Sequence, residues 1–432
     1  MDLRQVVAEL KLTEKADVLE MEWEASQQSM PAGDLFFLDP RYAVEACREI
    51  CLCDDIAQAA AAVCPRISGS GALQALAWHF HHCLYRAAGP PYSNNAWDTI
   101  HSWPVLKEAL EDDAGMFYLV VLLSGLPLMR SVHQAHSVPT EIVRDTILDV
   151  KFWLEEERKL GAYSGWGLTP QNTAWLLNHF RGILYRLERL QFQFGTFWGK
   201  LRAFRHRESQ VVLALSEDGV QYDGDGQVVR HKEDAEGDSW TARLAVTDEG
   251  AVGYPILPVG RAVNREVHLA ACEWAQVLTP GDATINLHIP AGPPMSHDAC
   301  GRSFEKALEF FPRHFPEKPY VVFCCGSWLL NGELEKLLPP DSNILRFQRE
   351  FYLFPIGLGP DSVFWRVFNG IPKDLAKAPR DTALRRAILD YALAGNKFRP
   401  TGGGCFLFPE DVNWGAQVYI RQPLEKYLER TS

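Results

Sequence analysis

Along the first 187 residues, apolar positions recur at three- and four-residue intervals. They do so over Ala43–Val63, Gly71–Tyr85, Trp103–Glu111, Met116–Arg130 and Thr140–Leu160, between breaks rich in Pro, Gly and Ser. That spacing predicts helices. Thr169 and Pro170 open one more, carried to Arg186, because Thr caps well and Pro suits the first helical position. After Arg186 the pattern turns to alternation. Leu190–Phe194 (LQFQF) has the period of a half-buried strand, Val211–Leu215 and Val220–Tyr222 flank a Glu217–Gly219 turn, and Trp240–Val246 is a further strand. Val267–Leu278 reads as a helix, Ala283–Ile289 as a strand, His297–Phe311 as a helix and Tyr320–Cys325 as a strand. Beyond them, Arg346–Phe354 alternates as a strand, Asp381–Ala394 is an amphipathic helix ended by Gly395, and Cys405–Phe408 follows the Thr401–Gly404 turn as a last strand. The expected fold is α+β, mixed α/β: an all-helical N-terminal domain over residues 1–187, then a domain over 188–422 built on a twisted mixed β-sheet flanked by helices.

Composition narrows the function. A net charge of −12 argues against nucleic acid and anionic membranes as partners, since both require a basic face. The first 25 residues are charged throughout and resemble no secretion signal, and no run reaches the ~18 apolar residues of a membrane span. Ten scattered cysteines suit a reducing compartment, so the expected location is the cytoplasm. Cys47 and Cys51, like His79 and Cys83, share helical faces, but buried thiols on packed helices explain them better than zinc does, and no metal is expected. The acids of Asp223–Asp238 lack calcium-loop spacing and read as a solvated hairpin tip. Thr401–Gly404 has no following Lys, so it is not a P-loop, and Gly326–Ser327 lacks the second glycine of a nucleophile elbow.

The stretch Asp282–Trp328 carries the chemistry. Alternation over Ile285–Ile289 puts Asn286 and His288 on one face, opposite the apolar residues. Pro290 has no N–H to give a neighbouring strand, so pairing must weaken there. Ser296 is a good N-cap for the next helix, whose first-turn N–H groups near His297–Gly301 suit an anion. Gly301 admits close backbone approach, and Arg302 and Lys306 share a face that fits phosphates. Ser327, Cys325 and Trp328 end the following strand, where ligands of open sheets bind. Arg189 and Gln191, beside Arg186 and Glu188 at the domain boundary, are candidates for holding a substrate carboxylate or phosphate, or for an ion pair.

These segments resemble a bacterial family of acyltransferase-domain-containing proteins whose C-terminal part is similar to GNAT-type N-acyltransferases. The resemblance rests on His288–Pro290 (HIP), Ser303–Phe311 (SFEKALEFF), Ser327–Leu330 (SWLL), Asp341–Ile344 (DSNI) with Phe347 and Gln348, Tyr185–Phe192 (YRLERLQF) and Gly253–Ile256 (GYPI). It implies a GNAT-like sheet splayed between its fourth and fifth strands. The pantetheine of an acyl-coenzyme A lies in that splay, and the pyrophosphate on the N-terminus of the helix after the fourth strand. In this chain the cofactor residues would be Ile289, Pro290, Ala291, Gly292, Ala299, Cys300, Gly301, Arg302, Ser303 and Lys306. Asp298 departs from the family's phosphate motif, which has Gln or Arg at that position.

The leading expectation is an N-acyltransferase that moves an acyl group from acyl-coenzyme A to an amine of a small molecule or peptide by direct attack. His288 is the candidate base and Ser327 the candidate proton donor to the leaving thiolate. Backbone N–H groups near Ile289–Gly292, Pro290 excepted, would meet the oxyanion. Asn286, Trp328, Arg189 and Gln191 are the candidate substrate contacts. The alternative is a catalytically silent GNAT-like binding or scaffolding module, which Asp298 favours because a carboxylate repels pyrophosphate.

Overall fold

The computed structural model describes residues 1–86, 99–161, 163–229, 238–290, 292–357, 362–396 and 398–428. The chain divides into two compact units, Met1–Leu187 and Glu188–Ser432.

The first unit is helical up to Phe180. Its centre is Ala114–Leu123, in which all ten residues are buried; a helix apolar on every side has no solvent face to present. Gly115 crosses Gly167 so closely that a Cβ on Gly115 would lie 2.6 Å from the Gly167 Cα. Side-chain caps set other starts. Ser70 accepts from the Leu73 N–H, and Thr169 and Asn172 form a capping box ahead of Pro170. The helical stretch Lys107–Ala135 is long and apolar enough to span a membrane, with mean hydropathy 1.6, contrary to the expectation that no run is. However, 72% of its apolar window is buried inside the protein, as in a core helix.

Several expected helices are shorter than their periodicity. Ala43–Val63 is two helices, Pro40–Glu49 and Asp54–Ser68, parted where Cys51 takes φ +59°. The helix expected to reach Arg186 stops at Phe180. Gly182 is left-handed at φ +62°, and the Ile183 N–H closes back on the Asn178 carbonyl at 2.9 Å, so Leu184–Leu187 is a strand.

The second unit holds a large mixed sheet. From Glu188 onward its strands lie side by side in the order Leu190–Thr196, Ala283–His288, Val322–Ser327, Gly403–Leu407 and Tyr352–Pro355. Among these described strands only the pair Ala283–His288 and Val322–Ser327 is parallel. The helix His297–His314 connects those two, as a parallel pair requires. Its Phe304 and Phe311 pack edge-on to Phe192, and Phe304 to Phe323, with ring centroids 5.1–6.3 Å apart. An antiparallel sheet of Arg261–Ala262, Pro255–Leu257, Val212–Ser216, Leu201–His206 and Trp274–Leu278 adds a second layer of chain.

Val267–Leu278 corrects a helix to two strands, Val267–Ala270 and Trp274–Leu278, which pair with different partners. Its period was two rather than 3.6: Val267 and Leu269 are buried while His268 and Ala270 are exposed. Arg346–Phe354 is likewise half helix, Asn343–Gln348 capped by Ser342, and half strand, Tyr352–Pro355.

Candidate active site

The parallel seam of the large sheet is open at one end. Ala283–His288 pairs with Val322–Ser327 only from Thr284↔Val322 to Asn286↔Cys324. On its other edge the same strand stays paired through His288↔Gln191. Beyond Cys324, the partner strand continues on its far edge as Cys325↔Cys405, Gly326↔Gly404 and Ser327↔Gly403. Two neighbouring strands that each keep one partner while losing each other must diverge. The splay therefore begins at Leu287, three residues before the expected break at Pro290.

One wall of the opening is polar. Gln191, Gln193, Thr284, Asn286 and His288 share a face by register and alternation. His288 is half-buried, and its Nε2 donates to Gln193 Oε1 at 2.5 Å. Glutamine's carbonyl oxygen only accepts, so this contact puts the ring proton on Nε2 and makes Nδ1 the basic nitrogen. Asn286 is held by its neighbours: its Oδ1 accepts from Thr284 Oγ1 at 3.0 Å and from the Cys324 thiol at 2.9 Å. Burial pushes that thiol's pKa up to about 12, so it stays a protonated donor. Asn286 is therefore a strut of the wall before it is a substrate contact. Gln191, at 1% exposure, is a wall residue too.

The other candidates are dispersed. Ser327 shares the face of Phe323 and Cys325, opposite that of His288, and its Oγ accepts from the Leu329 N–H as the cap of a 3-10 turn. Sequence distance had hidden this parity, and proton donation by Ser327 on the His288 side does not follow from it. Trp328 packs into a small cluster of Val363, Val367 and Ile388, so it walls a local core rather than the splay. Arg189 clamps the turn after the strand, donating from Nη1 to the Pro290 carbonyl at 2.8 Å and from Nε to that of Pro293 at 2.9 Å. Its charge is spent on backbone rather than on a substrate anion. Ile289 and Pro290 are half-buried along that turn, Gly292 is exposed with φ +138°, and Ala291 lies outside the described residues.

The expected phosphate seat is built differently from its motif. Ser296 caps the helix, accepting from the Ala299 N–H at 3.3 Å. A Cβ on Gly301 would strike the Trp414 indole at 2.6 Å, so this glycine makes room for a tryptophan and not for a ligand. Trp414 also stacks on Phe304 and donates to the His297 carbonyl at 2.8 Å. Ser303 is buried, donating to the Ala299 carbonyl and accepting from the Arg189 N–H, and Cys300 is in the core. Lys306 pairs with Glu188 at 2.7 Å, which lowers the Glu188 pKa. Ala299 and exposed Arg302 remain beside the first turn, and the Asp298 side chain is 86% exposed there.

Sequence reasoning missed Gln193, Trp414 and Glu350. Gln193 was visible as the second polar position of LQFQF. Glu350, which accepts from His297 Nε2 at 2.8 Å and from the Gly415 N–H at 2.9 Å, carried no local signal. Three surface cavities elsewhere in this unit are lined by other residues, the largest, about 360 Å3, by His206, Arg207, Cys272 and Tyr427 among others. Among the described residues no three His, Cys, Asp or Glu side chains converge as metal ligands. His79 instead bonds Ser26, at 3.0 Å.

A mixed sheet parted at one parallel seam, with a capped helix leaving the parted strand, defines the GNAT-like class of folds. The chain matches the GNAT-like C-terminal domain family over residues 184–406, more than half of its length, and the N-acyltransferase N-terminal domain family over residues 42–182; it belongs to this family. Similar solved structures include an acyltransferase in complex with decanoyl-CoA and teicoplanin, at TM-score 0.62 and 22% identity, covering 94% of this chain and 99% of that one. An acyltransferase mutant in complex with octanoyl-CoA and an acyltransferase in complex with CoA and 10C-teicoplanin cover the same shares at TM-score 0.61 and 22% identity. No curated protein matches the chain.

Proposed function

We propose that this protein is an N-acyltransferase that moves an acyl group from acyl-coenzyme A to the amine of a small molecule. The observation that carries the reading is the pairing gap after Asn286↔Cys324, with His288 at its polar edge. Similar folds have been solved with octanoyl- and decanoyl-CoA and with teicoplanin, which supports an acyl thioester as donor and a small molecule as acceptor. The pantetheine arm would lie along the open backbone edge, where unpaired strand groups match its amides.

The neutral amine attacks the thioester carbonyl; the C–N bond forms as the C–S bond breaks, and sulfur leaves with the bonding pair. His288 Nδ1 takes the proton that the amine nitrogen gives up, and Gln193 holds the ring in the required tautomer. Arg189 fixes the turn after the strand through the Pro290 and Pro293 carbonyls, and the backbone N–H groups of Ile289 and Gly292 would be the donors nearest the developing oxyanion. Water or the histidine returns a proton to the thiolate. Ten free thiols among the described residues support a reducing compartment for this chemistry.

The test is His288→Gln assayed with octanoyl-CoA and a panel of primary amines, alongside calorimetric binding of octanoyl-CoA. A fall in kcat of ~10²–10⁴ with donor affinity retained is expected for loss of a general base. An unchanged kcat across pH removes His288 from the mechanism, and no binding of octanoyl-CoA by the unaltered protein removes acyl-coenzyme A as the donor.

A further inference from the structure

We infer that the lobe formed by residues 362–396 and 398–402 is a docking surface for an acidic carrier protein, one that presents its acyl group on a 4′-phosphopantetheine thioester. The inference rests on the acyl-transfer reading and names a donor for the same splay.

Placement comes first. The lobe is inserted between Tyr352–Pro355 and Gly403–Leu407, and its roots lie at Pro355↔Gly403 and Ser327↔Gly403. Those positions end the strand that forms the far wall of the opening. The lobe, with helices Ser362–Phe368 and Ala383–Leu393, therefore rises from the mouth of the splay. It is fastened there. Asn331 donates to the carbonyls of Arg399 and Thr401 at 2.8 and 2.9 Å, and Arg399 pairs with Asp223 at 2.8 Å and Glu333 at 3.1 Å.

Charge comes second. The protein as a whole is at −12, yet the described residues of this lobe carry seven Arg or Lys against three Asp. Each of the three is already paired inside the lobe: Asp374 with Lys377, Asp381 with Arg385 and Asp390 with Arg380. Among the described residues, Arg366, Lys373 and Arg386 have no carboxylate at ion-pair distance, and all three are exposed. A basic lobe on an acidic protein steers an acidic partner.

Apolar exposure comes third. Of the eleven large hydrophobic residues exposed among the described residues, three lie in this lobe: Trp365 at 60%, Ile371 at 52% and Leu393 at 50%. A small anion gains nothing from them, whereas a protein surface does, and an aromatic residue beside an arginine is the composition of binding hot spots. Coenzyme A and a carrier protein share the pantetheine arm and differ at its far end. The far-end seat here is a poor match for a pyrophosphate, with exposed Asp298 in the helix's first turn and Trp414 filling the space beside Gly301. The carrier replaces that end with a protein surface. The transfer step is unchanged: the amine takes the acyl carbon, and the phosphopantetheine sulfur leaves as the thiol on the carrier.

The experiment measures binding to the full-length protein by calorimetry. The probes are octanoyl-coenzyme A and a holo acyl carrier protein loaded with octanoyl phosphopantetheine, at 50 and 300 mM salt. The loaded carrier is expected to bind at least tenfold more tightly than octanoyl-CoA at low salt and to weaken steeply with salt. The triple variant Arg366→Glu, Lys373→Glu, Arg386→Glu should lose at least tenfold for the carrier with octanoyl-CoA unchanged, and Arg366→Lys with Arg386→Lys should restore it. Retained octanoyl-CoA binding by the triple variant serves as the folding control. If octanoyl-CoA binds and the loaded carrier does not, or the triple variant binds the carrier like the unaltered protein, the docking surface is wrong and acyl transfer stands. If neither donor binds, both fall.

Discussion

The two faces of one pair of strands do opposite work. On one face Phe192, Phe194, Ile285 and Leu287 meet the aromatic stripe of His297–His314, where rings interlock and almost nothing is exposed. On the other, Gln191, Gln193, Asn286 and His288 make a hydrogen-bonded wall that ends at an open seam. The same backbone serves both because alternation sends successive residues to opposite sides. The first face supplies stability by excluding water; the second is affordable only because the first is dense. Changes on the aromatic face should therefore unfold the protein, and changes on the polar face should spare the fold and alter its chemistry.

Acid should separate the two kinds of environment most strongly. In the helical unit, burial in apolar surroundings lowers His79 to about 3 and His81 and His133 to about 4, against an ordinary value of 6.5. The unfolded chain thus binds protons that the folded unit refuses. Stability is complete above pH 6.5 and falls as pH drops from 6.5 toward 4, each unit of separation amounting to roughly 1.4 kcal/mol per group. Circular dichroism melts between pH 7 and 4 should show the helical unit's transition falling first. A helical transition that does not move would mean these histidines are not held neutral by the fold.

Phe304→Ala comes next, removing a fully buried ring that touches Phe192, Phe323 and Trp414. It should cost about 3–5 kcal/mol in denaturant unfolding. On the opposite face His288→Gln should leave the midpoint within about 1 kcal/mol while reducing turnover. A large stability loss from His288→Gln would erase the contrast between the faces. Asn286→Leu lies between them. It strands the hydroxyl of Thr284 and the thiol of Cys324 without their acceptor, at about 1–3 kcal/mol, and should loosen the last paired position before the splay. Hydrogen exchange at Leu287 and Cys325 would register that loosening. Lys306→Ala should do least. Its partner Glu188 is a third exposed, so thermal melts should shift by the equivalent of less than about 1 kcal/mol, and less still in high salt.

Much of the site's scaffold was legible in local pattern. The strand at Ala283, the cap at Ser296 and the aromatic stripe of the helix all follow from alternation, side-chain chemistry and 3.6-residue spacing, which act over a few residues. What failed also has a local cause. Val267–Leu278 holds apolar residues that fit both periods, and the turn at Cys272–Glu273 has no Gly or Pro to announce it. The run through Arg186 broke at Gly182 because a single left-handed residue ends a helix whatever the apolar spacing beyond it.

By itself, then, the sequence determined the elements around the seam, their inward and outward faces and the pairing of His288 with the polar side, because these depend on neighbours within one strand or one helical turn. The tertiary structure decided which polar residues keep their chemistry. It placed Trp414 against Gly301 across 113 residues of chain, turned Arg189 onto the carbonyls of Pro290 and Pro293, put Ser327 on the face away from His288, and set the basic lobe at the mouth of the opening. Those outcomes depend on contacts between distant segments, and no local period encodes them.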